Sequence, residues 1–116
     1  MIVANEKEVH AMVMESPEVN AAAMKALISP REGWEGYVMR VIELGKGGYS
    51  PKHAHDWPHI NFVLEGSGSL HIDGEDTPIE AGSYAYVPAG SLHQYKNEGI
   101  GMFRFICIVP EEGHVT

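Results

Sequence analysis

A chain of 116 residues with net charge −8, eight Lys and Arg against sixteen Asp and Glu, is about one domain of ordinary size. It lacks the basic surplus that grips a phosphate backbone, which argues against a nucleic-acid partner. A single cysteine, Cys107, excludes an intrachain disulfide, and no run approaches the ~20 apolar residues of a membrane helix. The opening MIVANEKEVH places Glu and His where a secretory leader needs an unbroken apolar core, so a soluble cytoplasmic protein with no membrane partner is expected.

Thirteen Gly and seven Pro scattered between short apolar runs fit an all-β chain with many turns. In chain order, Glu6 to Met14 shows no clean period, and the structure of residues 1–24 is not legible. Ala21 to Ile28, AAAMKALI, scores as helix on propensity alone. A short apolar run bounded by Pro30, Gly33 and Gly36 also suits a buried strand, and a strand over Lys25 to Ile28 is the reading adopted. Tyr37 to Leu44 alternates apolar with charged residues and reads as a strand that ends at Gly45 to Gly48.

Tyr49 to His55 is expected to be the strand that carries functional residues. Ile60 to Leu64 follows, then a turn at Gly66 to Gly68 and a strand over Leu70 to Ile72. Asp73-Gly74 is the strongest hairpin signal in the chain and leads into Thr77 to Glu80. Ser83 to Val87, Leu92 to Lys96 and Met102 to Val109 complete eight to ten short strands, which implies a sandwich or barrel. On the last strand Phe103, Phe105, Cys107 and Val109 share one face.

Three histidines within seven residues, His53, His55 and His59, set this chain apart from one with scattered surface imidazoles. In an extended segment His53 and His55 point the same way, and Asp56, Trp57 and Pro58 interrupt the strand so that His59 can turn back towards them. His93 is the fourth candidate. Neutral imidazole offers a lone pair without first losing a proton, and it suits Zn, Cu, Fe and Ni. One divalent transition-metal ion held by His53, His55, His59 and His93 is therefore expected.

The same stretches carry a family resemblance. Gly47, His53, His55 and Gly66 resemble the first motif of the cupins, with His59 where that motif usually has Glu. Gly82, Pro88, Gly90, His93 and Asn97 resemble the second. With the run FICIVPEEG, the likeness extends from Tyr37 to about Gly113 and points to a small microbial subgroup with a four-histidine site. It implies a double-stranded β-helix, a jelly-roll barrel spanning 37–113, within a single domain of residues 1–116. The segment 1–36 would then supply an outer strand or a strand that pairs with a partner subunit. A homodimer is expected from that family habit and from apolar runs in the N-terminal third that a lone barrel need not consume. Mn or Fe is the implied metal, with Ni, Co, Zn or Cu as alternatives.

By the period of two, Asn61 and Val63 share the face of His59, and Tyr95 and Asn97 that of His93. Tyr95, Cys107, Asn61, Arg40 and Trp57 are the further pocket candidates. Against these stand plainer roles: core packing for Tyr95, a small buried hydrophobe for Cys107, and the pocket mouth or a subunit contact for Trp57. Arg40 needs an anion if buried, with Glu43, Glu65 or a substrate as candidates. His10, His71 and His114 are expected on the surface. The function implied is a metal-dependent enzyme of oxygenase type acting on a small organic substrate in the barrel cavity. The alternatives are a non-catalytic metal or small-ligand binder, and a metal-dependent isomerase or decarboxylase.

Overall fold

In the computed structural model, which describes residues 1–114, nine strands form one curled antiparallel sheet of the jelly-roll type. Val115 and Thr116, the last positions of the expected domain, lie outside the described residues. The strands are β1 (Met12–Val13), β2 (Asn20–Ile28), β3 (Tyr37–Tyr49), β4 (His59–Glu65), β5 (Ser67–Ile72), β6 (Glu75–Glu80), β7 (Tyr84–Val87), β8 (His93–Asn97) and β9 (Phe103–Pro110). Their order is β6-β5-β8-β3-β9-β4-β7, with β2 pairing on β3 and β1 on β2. Among the described residues, no helix is long and apolar enough to cross a membrane.

Strict alternation builds the interior. In β9, Phe103, Phe105, Cys107 and Val109 are buried, while Arg104, Ile106 and Ile108 between them are only half-buried. β8 buries His93, Tyr95 and Asn97, and β4 buries His59, Asn61 and Val63, so the expected faces are the observed ones. Phe103, Leu44 and Val38 are fully buried among them, each contributing about 1.5–3 kcal/mol of transfer free energy.

Three expectations need correction. The strand from Tyr37 does not stop at Leu44, because β2 pairs along it as far as Asn20 with Tyr49, and the glycines accommodate an irregularity inside the ladder. Gly47 is left-handed at φ +73°, and a Cβ on Gly48 would sit 2.7 Å from the Gly45 carbonyl oxygen. The second correction is to Tyr49 to His55, which is not a strand. Only Tyr49 belongs to β3, and His53 is tied to His93 by one isolated bridge. Third, Gly66 alone forms its turn, and β5 already begins at Ser67.

The strand expected over Lys25 to Ile28 is present but begins at Asn20. Tertiary context overrides the helical propensity there: β2 is pinned between β1 and β3. Lys25, nearly buried, is matched by Glu6 at 2.9 Å and Glu43 at 3.7 Å. Asp73 and Gly74 take φ +46° and +90°, the doubly left-handed pattern of a two-residue hairpin, and β5 and β6 pair across them from Ile72 with Glu75.

Candidate metal centre

The loop between β3 and β4 is zipped to the start of β8. His53 and His93 exchange both backbone hydrogen bonds, at 3.1 and 3.0 Å. The Ser50 N–H donates to the Tyr95 carbonyl at 3.0 Å, and the Gly90 N–H to the His55 carbonyl at 2.7 Å. This ladder brings the two histidine-bearing stretches together. One ring nitrogen from each of His53, His55 and His93 lies within 4.8 Å of the others. Their rings meet edge to face at centroid distances of 4.8 to 4.9 Å.

His59 enters from β4. Its Nε2 is 3.0 Å from Nε2 of His93, and its ring centroid is 5.5 Å from that of His55. The three-residue cluster and His59 thus adjoin, although His59 falls outside the set whose ligand atoms all lie within 4.8 Å of one another.

Outer partners fix three tautomers. Nδ1 of His55 faces the Trp57 carbonyl at 2.7 Å, Nδ1 of His93 the Ser91 carbonyl at 2.9 Å, and Nδ1 of His59 the Asn61 Oδ1 at 2.7 Å. Each partner is an oxygen that only accepts, so each Nδ1 carries the proton and each Nε2 keeps its lone pair. Such hydrogen bonds commonly orient metal-binding imidazoles. Burial, reinforced by neighbouring imidazoles, lowers His59 and His53 to about 4 and also lowers His93. A set of neutral imidazoles with lone pairs turned inward suits a divalent transition-metal ion.

His53, His59 and His93 open onto a cavity of about 70 Å³ walled by Ile42, Tyr95, Phe105 and Cys107 and closed on the N-terminal side by Met14 and Ala22. Asn61 is in the wall. Its Nδ2 donates to the Ile106 carbonyl at 3.2 Å, which turns Oδ1 towards both His59 and the Tyr95 hydroxyl, 2.6 Å away. Burial pushes the Tyr95 phenol far up, so it stays a protonated donor. Cys107 is buried and free, and its thiol faces Arg40. Trp57, like Arg40, does not line the cavity. It stacks on the His55 ring at 4.6 Å and packs under Gly113, where an added Cβ would collide with the indole Nε1.

Arg40 has neither expected carboxylate. Glu43 and Glu65 pair with Arg104, at 3.0 and 3.2 Å, and Glu6 joins the same guanidinium. The nearest polar contacts of Arg40 are sulfurs: Met24 Sδ and Cys107 Sγ, each at 3.7 Å. His10 is exposed, but His71, which pairs with Asp76 on the β5–β6 hairpin, and His114 are both half-buried, contrary to their expected surface positions. The sequence around His114 gives no periodic signal, which is why the pattern did not find it.

The family model for the cupin domain matches residues 40–109. The chain belongs to the cupin family. Among curated proteins, 69 residues are 29% identical to an oxalate-binding protein of Thermotoga maritima, covering 59% of this chain and 57% of that one. Another 53-residue match is 42% identical to quercetin 2,3-dioxygenase of Bacillus subtilis, covering 45% of this chain and 16% of that enzyme. The chain spans less than two thirds of the length of these curated relatives. Among solved structures, the polyketide cyclase RemF from Streptomyces resistomycificus superposes with a TM-score of 0.89 at 26% identity, over 96% of this chain and 80% of that one.

Proposed function

We propose that this cupin is a small metal-dependent enzyme of oxygenase type that binds one divalent ion through His53, His55, His59 and His93. The organic substrate binds in the adjoining barrel cavity. The observation that carries the metal assignment is the 3.0 Å contact between Nε2 of His59 and Nε2 of His93. With both Nδ1 protons committed elsewhere, neither Nε2 has a hydrogen to donate, and two bare lone pairs at that distance repel. A shared cation turns the repulsion into ligation. Two nitrogens about 2.1 Å from one ion stand about 3.0 Å apart at a right angle, which matches.

The chemistry such an ion supplies is Lewis-acid polarisation of oxygen ligands. The chain's own residues do the rest. Apolar Ile42 and Phe105 exclude water from the reacting group, Asn61 holds His59, and the Tyr95 hydroxyl keeps Asn61 in place. Four neutral imidazoles leave the charge of a divalent ion uncompensated, which favours anionic oxygen donors. Mn or Fe fits an oxygenase, and the quercetin dioxygenase match supports that reaction type.

A second reading, metal-dependent chemistry without oxygen consumption, draws support from the longer match to a polyketide cyclase. Elemental analysis of protein purified without added metal, then oxygen-uptake assays on diketones, phenolics and small keto acids, tests both. Oxygen consumption that disappears on metal removal supports the first reading. Metal-dependent product formed anaerobically supports the second. Binding with no turnover in either atmosphere would leave a non-catalytic ligand binder.

A further inference from the structure

Two side-chain nitrogens among the described residues are buried with no hydrogen-bond partner: Nε of Arg40 and Nδ1 of His114. Of the two, Arg40 stands beside the cavity wall, one terminal nitrogen 3.7 Å from the Cys107 thiol. The register shows how Arg40 comes to be there. On β3 it stands between Val38 and Ile42, two residues from each, and both of those belong to the barrel core. Across the ladder Arg40 pairs with Cys107, itself a wall residue of the cavity. The guanidinium is therefore turned to the barrel side, against Cys107, which pairs on its other flank with Asn61, the hydrogen-bond partner of His59.

A guanidinium in this setting calls for an anion. Buried cations are ordinarily paired, and an unpaired N–H forfeits the hydrogen bond it had in water. Here every carboxylate that the strand register brings near is taken by Arg104 or Lys25. The two sulfur contacts are weak acceptors that a carboxylate displaces readily.

We infer that Arg40 is the receptor for an anionic group of the substrate, so that the substrate is an oxygen-chelating carboxylate held between this guanidinium and the histidine cluster. The fork of the guanidinium presents Nε and one terminal nitrogen side by side, which is the bidentate match to a carboxylate. This names the charge of the substrate of the proposed enzyme, and so rests on that reading for its second ligand contact. The anion contact itself is testable without metal.

The direct test is the side-chain Nε–H signals of Arg31, Arg40 and Arg104 by nitrogen–proton NMR in metal-free protein. Pyruvate is compared with methyl pyruvate, which keeps the vicinal oxygens and loses the charge. The Arg40 signal is expected to shift saturably with pyruvate and not with the ester, while Arg31 and Arg104 stay in place. In metal-loaded protein, calorimetry is expected to show pyruvate at least tenfold tighter than the ester. Arg40→Met should erase that preference with metal content unchanged, and Arg40→Lys should keep part of it. An Arg40 signal indifferent to pyruvate, or an Arg40→Met protein that still prefers the anion, overturns the inference. Should Arg40→Met fail to fold, the wild-type NMR comparison decides alone. Absence of metal from the purified protein would count against the proposed function and leave the anion result readable.

Discussion

Asn61 Oδ1 accepts two hydrogen bonds at once, from His59 Nδ1 at 2.7 Å and from the Tyr95 hydroxyl at 2.6 Å, while its own amide nitrogen is held by the Ile106 carbonyl. The side chain thus selects one tautomer of His59 and one ring orientation. Replacing it by Leu, similar in size but without the acceptor, should leave the fold intact and weaken metal retention by about 10–100-fold. Competition with a coloured chelator measures the change. Unaltered retention would show that the hydrogen bond does not serve the site.

Removal of the four histidines one at a time should give a graded result. His53, His55 and His93 form the tight cluster, so Ala at any of them should strip most of the metal. His59→Ala should leave a weaker but measurable site, since three imidazoles are enough to retain an ion. Metal stoichiometry after gel filtration distinguishes the two outcomes. Full occupancy in a protein lacking both His55 and His93 would remove the assignment.

Acid should destabilise the metal-free protein. Burial holds His59 and His53 down to about 4 from the ordinary imidazole value of 6.5, so below 6.5 the unfolded chain binds protons that the folded one refuses. Stability is then fully present above pH 6.5 and is lost progressively as the pH falls towards 4. His59, buried, should dominate; His53 is exposed, and water screens its share. Urea midpoints at pH 7.5 and pH 5 should differ in wild type and less so in His59→Gln.

Self-association is expected through the outer face of β4, β7 and β9, where Ile60, Phe62, Tyr84 and Tyr86 are exposed on a continuous apolar patch with Ile106 and Ile108. Contiguous apolar surface of this kind is unusual on a monomer, and β7 is also a sheet edge. We propose a homodimer formed there. Light scattering should give about 25 kDa, twice the chain's 12.7 kDa, and Phe62→Glu with Tyr86→Glu should return the single-chain mass.

Phe103 is fully buried, and its ring occupies the space over Gly68, where an added Cβ would meet it at 2.8 Å. Phe103→Ala should cost about 3–5 kcal/mol in chemical denaturation. Metal content should not change, because the ring lies away from the histidines.

The strands of the barrel were legible because a period of two is explicit in His93, Tyr95 and Asn97 and again in Phe103, Phe105, Cys107 and Val109. The histidine cluster was legible from its spacing and its family likeness. Less legible was what depends on long-range pairing. AAAMKALI has helical propensity, and only the presence of β1 and β3 on either side makes it a strand. Gly45 to Gly48 read as a strand end because glycines usually punctuate, whereas here they bend a ladder that continues. The distribution of carboxylates between Arg40 and Arg104 could not be read either, since it depends on which strand faces which. Glu43 neighbours Arg40 in sequence and yet serves Arg104 across β9.

The bridge between His53 and His93 has a consequence for maturation. These two residues are far apart in the chain, and the main-chain ring joining them closes only after β4 to β7 have been laid down between them. No nascent fragment ending before His93 contains all four histidines, so an ion held by the full set is bound only once chain synthesis has passed that point. Metal choice would then follow what the surroundings supply to a finished protein.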